Sequence, residues 1–348
     1  MHQRIHFFIL SALLYCKTKL YPYLCDAVRG AKPYGLAEMI PYEPDMYNNS
    51  AGKRYAIHCF VGLWSKPFPG LYNPLITMKK KYNRVMTIAG SDSGGGAGIQ
   101  ADIKAISAME CYAASAITAV TVQNTIGVQV VHPVPLDILE GQIEAVLSDI
   151  GADAIKIGML HSTEVVKIVA QKIKQYGIMN VVLDPVMVST SGHRLIEESA
   201  VEVIQEHLIP LARVLTPNVP EAEILIGKDI TGECNFEETA KELAHRYGVS
   251  VLLKAGHLSG DVLTDYFYNI EDDTLTLLPS RRVETRNTHG TGCTLSSALA
   301  AALAKGEDLT DAAKSAKKYI EQTIIAGADY EIGHGHGPVN HFFGFDKK

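Results

Sequence analysis

From Asn83 onward the chain alternates apolar runs of strand length with segments of helical spacing, and this alternation leaves few folds open. The runs are "RVMTIAG", "SAITAVTVQN", "DAIKIGM", "NVVLDPV", "RVLTPN" and "VSVLLKAG", each bounded by glycine, proline or asparagine, as strands are. Between them lie "AGIQADIKAISAME", "PLDILEGQIEAVLSDI", "STEVVKIVAQKIKQYG", "SAVEVIQEHLIPLA" and "FEETAKELAHRYG", whose apolar residues recur at helical intervals. Strands apolar on both faces must be covered on both faces, and parallel strands joined by helices achieve this through right-handed crossovers. The pattern therefore predicts a three-layer α/β domain. Near Asp261 the rhythm changes: "DVLTDYFYNIEDDTLTLLPSRRV" alternates like a hairpin turning at "EDD", which predicts an antiparallel edge. Two long helices, opening at Gly292 and near Leu309, close the fold.

Residues 1–77 are a different kind of sequence. They hold the only tryptophan, Trp64, and carry a net charge of +4 against −10 for the remainder. The apolar stretch from Phe7 to Tyr15 is too short to span a membrane and lacks a convincing small-x-small cleavage site. The expectation is a non-native or disordered extension before a native start at Met78, with residues 78–348 as one domain. Cys111, Cys234 and Cys293 are few, scattered and odd in number, a usage that suits the reducing cytoplasm.

An overall charge of −6 offers no basic face for phosphate backbones, so nucleic acid is excluded as a partner. A composition 47% hydrophobic and 20% charged is that of a packed protein with no membrane partner.

Ligands of parallel α/β sheets sit beyond the carboxyl ends of the strands, so the polar residues there carry the chemistry. They are Ser91, Asp92, Gln123, Met159, Asp184, Asn218 and Lys254. "AGSDSGGGAGIQAD" includes Gly96-x-Gly98-x-x-Ala101, which fits a relaxed dinucleotide fingerprint, but the next strand ends in Gln123 and Asn124 rather than the acid that grips a ribose. The phosphate-loop pattern with Gly-Lys-Ser/Thr is absent. Gln123 is either a turn amide or a donor–acceptor pair for an aminopyrimidine edge. Asp184, with Asn218 and Glu221 on one helical turn, could hold Mg²⁺ through water, since that ion keeps much of its hydration; Glu221 alone is also what a first helical turn favours. "RNTHGTGCTLSSALAAALAKG" places Gly290, Thr291, Gly292 and Cys293 at a helix mouth behind Thr288 and His289, where successive N–H groups make an anion cradle. Such a cradle suits phosphoryl transfer, in which positioning and charge stabilisation dominate. His334, His336 and His341, with no acid or cysteine beside them, read as a polar tail rather than a metal site.

"TIAGSDSGGGAGIQADIK", "VQNT", "KIGML", "LDPVM", "TPNVPEA", "KAGH" and "NTHGTGCTLSSALAA" together resemble the hydroxymethylpyrimidine/phosphomethylpyrimidine kinases of thiamine biosynthesis, within the ribokinase-like superfamily. The likeness runs from Asn83 to the "GHGHGPVNHFF" near the C-terminus. It implies a ribokinase-like fold with a mostly parallel central sheet, helices on both faces and an antiparallel edge. It also implies a homodimer that uses ATP and Mg²⁺ to phosphorylate a small pyrimidine alcohol and then its monophosphate. Carried over motif by motif, Gln123, Gly90, Asp102, Met159 and Val186 would surround the pyrimidine. Asn218, Glu221, Lys254 and Thr288 would serve ATP and its phosphates, with Asp184 and Glu221 facing the metal through water. Gly290, Thr291, Gly292, Cys293 and Lys254 would be catalytic, Cys293 as a thiolate base whose pKa the helix terminus lowers. Sugar kinases of the superfamily carry aspartate where this chain has Cys293, which leaves a pyridoxal or pyridoxine kinase as the alternative.

Overall fold

A computed structural model of the protein describes residues 46–48, 54–56, 80–187, 196–230, 235–254 and 260–345. The chain divides into two compact units, Met1–Met78 and Lys79–Lys348. In the first, β1 (Met46–Asn48) and β2 (Arg54–Ala56) pair antiparallel; the rest of the expected extension lies outside the described residues.

In the second unit the predicted alternation appears as β3 (Arg84–Ser91), α1 (Gly98–Ala108), β4 (Tyr112–Gln123), β5 (Val128–Pro133), α2 (Leu136–Ala145), β6 (Ala154–Ile157) and α3 (Thr163–Tyr176). It continues with β7 (Val181–Leu183), α4 (Glu198–Val203), β8 (Val214–Leu215), α5 (Val219–Ile226), α6 (Phe236–Tyr247) and β9 (Ser250–Leu253). The hairpin β10 (Val262–Asn269) and β11 (Thr274–Arg281), then α7 (Thr291–Ala304) and α8 (Leu309–Gly327), complete it. The sheet order is β11-β10-β9-β8-β7-β6-β3-β4-β5. Neighbours from β9 to β4 run parallel, while β10 and β11 form the expected antiparallel edge.

Two departures have local causes. The second edge is also antiparallel, because β5 returns along β4; β5 buries only Val128, so "VQVVHP" carries no alternation to betray a strand. "SAVEVIQEHLIPLA" is not one regular helix, since α4 passes into a π turn at Ile204–Leu208 and a 3-10 turn at Ile209–Leu211, where Pro210 lacks the N–H that would continue it.

The two faces of the sheet are buried differently. Leu139, Val166, Ile204, Ala222 and Leu243, from α2 to α6, share one core with Met86, Ile88 and Ile155. Ile106, Ala298, Leu299 and Ala316, from α1, α7 and α8, share the other with Val85 and Ala154. Strand β3 feeds both cores from alternate residues, which is why it reads as continuously apolar. Every residue of α7 from Thr294 to Leu303 is buried, and its alanines let the helix axis approach the sheet. That approach brings the first turn of α7 to the carboxyl ends of the strands. No helix among the described residues is long and apolar enough to cross a membrane.

Candidate active site

The strand ends converge as the fold requires. Gly90 of β3, Gln123 of β4, Met159 after β6, Asp184 and Val186 after β7, Asn218 and Glu221 at α5, Lys254 after β9 and Gly290 to Cys293 at α7 line one cavity. Including its open mouth, it encloses about 1100 Å³, ample for a six-membered ring with a phosphate. A second cavity adjoins it, walled by Arg281, Arg282, Thr288 and Lys317. Lys254, Thr291 and Gly292 belong to both walls. The predicted Thr288 thus faces the second cavity.

The cradle is built by two glycines used differently. Gly290 is the N-cap of α7 with φ +82°, a left-handed conformation that costs other residues about 1–2 kcal/mol. Gly292 lies against the charged pair: a Cβ there would sit in contact, 3.4 Å from Lys254 Nζ and 3.6 Å from Asp184 Oδ2. Any side chain would occupy the place where the N-terminal amides of α7, with their partial positive charge, face the lysine. Lys254 donates to Asp184 Oδ1 at 2.7 Å, and Asp184 also accepts from Thr216 Oγ1 at 3.2 Å and Ser296 Oγ at 3.3 Å. Burial would raise the Asp184 carboxyl, but Lys254 and Lys156 outweigh it and hold the group below its ordinary range. The remainder of "KAGH" lies outside the described residues.

Asn218 and Glu221 form a reciprocal capping box on α5: Glu221 N–H donates to Asn218 Oδ1 at 2.9 Å, and Asn218 N–H to Glu221 Oε2 at 2.8 Å. Glu221 therefore caps α5, as its place in the first turn favours, and also lines the cavity. Burial pushes its carboxyl up to about 7, with Lys254 opposing and Asp184 adding to the rise. Glu221 is a carboxylate short of positive charge.

Two expectations are corrected. Asp102 does not reach the cavity wall. It is fully buried beneath it, accepting from Lys156 Nζ at 2.7 Å, Thr87 Oγ1 at 2.6 Å and Ser297 Oγ at 2.8 Å, and so ties α1 and α7 to the sheet. The surroundings of Cys293 disfavour a thiolate. Burial pushes its thiol up to about 11, and the charges of Asp102 and Asp184 oppose ionisation while Lys156 and the Gly98 N–H favour it. The helix terminus contributes only about 0.3–1 kcal/mol, less than a two-unit rise represents. Alkylation of Cys293 by iodoacetamide near pH 7.5, followed by peptide mass spectrometry, is expected to run roughly 100-fold slower than for an ordinary thiol and to climb with pH beyond 10. Fast modification at pH 7.5 would reinstate the thiolate.

Asp92 and His289, both inside the motifs that carry the resemblance, meet across the cavity. Asp92 accepts from the N–H groups of Gly94 at 2.7 Å, Gly96 at 3.0 Å and Ala97 at 2.8 Å, which folds the glycine-rich turn over the cavity. His289 Nε2 lies 2.9 Å from Asp92 Oδ2 and 3.3 Å from Gln123 Nε2. Among the described residues no group of three or more acids, histidines or cysteines is arranged to hold a metal directly, and His341 is buried against Thr294 Oγ1 at 2.9 Å.

Comparison with known proteins agrees with this geometry. Residues 92–340 match the family model described as phosphomethylpyrimidine kinase. The hydroxymethylpyrimidine/phosphomethylpyrimidine kinase of Rhizobium meliloti is 48% identical over 258 residues, 74% of this chain and 96% of that protein. Among solved structures, the phosphomethylpyrimidine kinase of Clostridium difficile aligns with a TM-score of 0.62 at 40% identity, covering 69% of this chain and 99% of that one. The pyridoxal kinase of Bacillus subtilis, solved as an ADP complex, aligns with a TM-score of 0.69 at 34% identity, covering 75% and 98%. The family model covers well over half of the chain, the α7 cradle included, and the Rhizobium relative is 48% identical over 74% of it; on that ground the chain belongs to the phosphomethylpyrimidine kinase family.

Proposed function

We propose that the chain transfers the terminal phosphoryl group of ATP to the hydroxymethyl group of 4-amino-5-hydroxymethyl-2-methylpyrimidine, and then a second one to the resulting monophosphate. The observation that carries this reading is the meeting of two cavities at one anion cradle, with Lys254, Thr291 and Gly292 shared between them. The nucleotide enters from the side of Arg281, Arg282 and Lys317, and the acceptor lies against Gln123 and Met159. Transfer then needs in-line positioning and neutralisation of phosphate charge, which Lys254 and the α7 amides supply. A neutral Cys293 suits both steps, because a fixed negative charge would repel the monophosphate acceptor. Asp184 and Glu221 are the carboxylates toward which Mg²⁺ would turn its waters; the raised Glu221 carboxyl is what such a cation would relieve. Bound there, the ion would neutralise charge on the nucleotide's phosphates.

The reading places catalysis wholly in residues 79–348, in a cytoplasmic enzyme. It also takes the enzyme as a homodimer, which the half-exposed valines 120, 122 and 130 on the paired β4–β5 edge support. ATP consumption measured with the aminopyrimidine, pyridoxal and ribose in parallel tests the assignment: the pyrimidine alcohol and its monophosphate should be the preferred acceptors, and a preference for pyridoxal would overturn it. Gln123→Leu should raise the KM for the pyrimidine roughly 5- to 150-fold, the equivalent of about 1–3 kcal/mol for ring polar atoms left unpaired. The KM for ATP should change less than about twofold. Equal damage to both constants would make Gln123 a structural amide.

A further inference from the structure

An amide side chain can read either of two opposite edges unless something decides which end carries the oxygen. Gln123 is the residue proposed above to read the pyrimidine, so its orientation determines whether an amino or an oxo ring is accepted. One end of the Gln123 amide, Nε2, faces His289 Nε2 across 3.3 Å, and the other, Oε1, faces Thr121 Oγ1 at 3.1 Å; the two ends exchange on a half-turn of the amide.

Counting hydrogens on the neighbours settles the orientation. His289 Nε2 is 2.9 Å from Asp92 Oδ2, an oxygen that is a pure acceptor when ionised, and the Asp92 carboxyl is held below its ordinary range. Nε2 must therefore carry a hydrogen, whether the ring is neutral or charged, and it cannot accept from an amide NH₂. On the other side, Thr121 has one hydroxyl hydrogen, and the carbonyl oxygen of Ser91 takes it at 2.9 Å. The Thr121 oxygen then turns lone pairs toward the amide and needs a donor. His289 requires, and Thr121 while bonded to Ser91 O favours, the same arrangement: the amide oxygen against His289 and the NH₂ against Thr121.

We propose that His289 is a positioning and specificity-determining residue, whose Nε2–H, shared between Asp92 and the Gln123 amide oxygen, locks the amide so that the cavity accepts a 4-aminopyrimidine edge and rejects the reversed edge of a 4-oxopyrimidine. The ring is well held for this task. Its backbone N–H donates to Gly337 O at 3.0 Å, His289 bridges to Pro338, and its side chain is only 13% exposed. Asp92 in turn is fixed by three backbone N–H groups of the glycine-rich turn. Without the histidine donor, only Thr121 biases the amide, and Thr121 can reverse its own hydroxyl to suit either end.

The inference rests on the pyrimidine reading of the site, and its test separates the two. The quantity is the ratio of kcat/KM for 4-amino-5-hydroxymethyl-2-methylpyrimidine to that for its 4-oxo analogue, measured on the full chain in the parent and in His289→Phe, His289→Gln and Gln123→Leu. Phenylalanine keeps the packing of the ring and deletes the donor, so the ratio should fall at least tenfold while the KM for ATP stays within about twofold. Glutamine, which places an N–H near the position of Nε2, should restore most of the ratio. If His289→Phe lowers both substrates equally, His289 is only structural and the proposal is overturned. Should that variant not fold, His289→Leu gives the same reading, and a glutamine variant as unselective as the phenylalanine one also overturns it. If the ratio is unchanged even in Gln123→Leu, the pyrimidine-edge reading itself fails.

Discussion

Gly290→Ala should lower kcat/KM by at least 10²-fold and reduce the melting temperature, because the substitution breaks the cradle in two ways. At φ +82° the backbone itself disfavours any Cβ by about 1–2 kcal/mol. The new methyl would also overlap the carbonyl group of Gly96, in the glycine-rich turn that roofs the cavity, so that either α7 or the turn must move. Loss of aligned N–H donors at a developing anionic charge costs roughly 10²–10³-fold in rate. Gly306→Ala is the control. Its φ of +87° is equally left-handed, yet a Cβ there meets nothing within 4 Å, so it should lose stability and keep activity. Rates and thermal melting of both variants check the comparison, and a Gly290→Ala enzyme within about threefold of the parent would show that this backbone does not position phosphate.

The contrast between these glycines marks what a sequence can and cannot disclose. Gly290 was legible because it stands in a motif, before a helix built of small residues, and helix termini bind anions for local reasons. The parallel sheet was legible for an equally local reason, in that strands buried on both faces are apolar throughout. Asn218 and Glu221 were legible as a strand-end pair on one helical turn, since the Asn-x-x-Glu spacing brings both there, whereas the capping box they form emerges only in the structure. Long-range placement was not legible. Asp102 sits in a glycine-motif helix like a ligand-facing residue, yet its partners Lys156 and Ser297 come from distant strand and helix, and their union buries it. The helix-terminus argument for Cys293 was sound as far as it reached, but desolvation depends on everything packed around the thiol and reverses the outcome. The second cavity was not legible because Arg281, Arg282 and Lys317 lie on the hairpin edge and α8, in stretches whose pattern reports strands and helices rather than ligands. Strand β5, exposed along most of its length, gave no alternation at all.

Lys254→Met is expected to cost more activity than any other single substitution at the site, and to cost stability separately. Lys254 stands on the walls of both cavities, so on the proposed reading it would meet the phosphoryl group during transfer as well as before and after it. Removing a preorganised positive charge from such a position lowers kcat by roughly 10²–10³-fold or more. The same lysine is the close ion-pair partner of Asp184 at 2.7 Å, and the aspartate side chain is 2% exposed. Lys156, Thr216 and Ser296 soften the loss, but a buried carboxylate stripped of its partner typically costs about 3–5 kcal/mol. For a domain of this size, about 1 kcal/mol moves the melting temperature by roughly 2–4 °C, so a fall on the order of 10 °C is expected. The double variant Lys254→Met/Asp184→Asn separates the two effects. Neutralising the orphaned charge should restore most of the melting temperature, because the amide oxygen can still accept from Thr216 Oγ1 while its NH₂ faces Ser296 Oγ, which donates to Gly292 O; kcat should stay at the level of the single variant or lower. Recovery of both stability and rate in the double variant would mean that Lys254 only compensates Asp184 and takes no part in phosphoryl transfer.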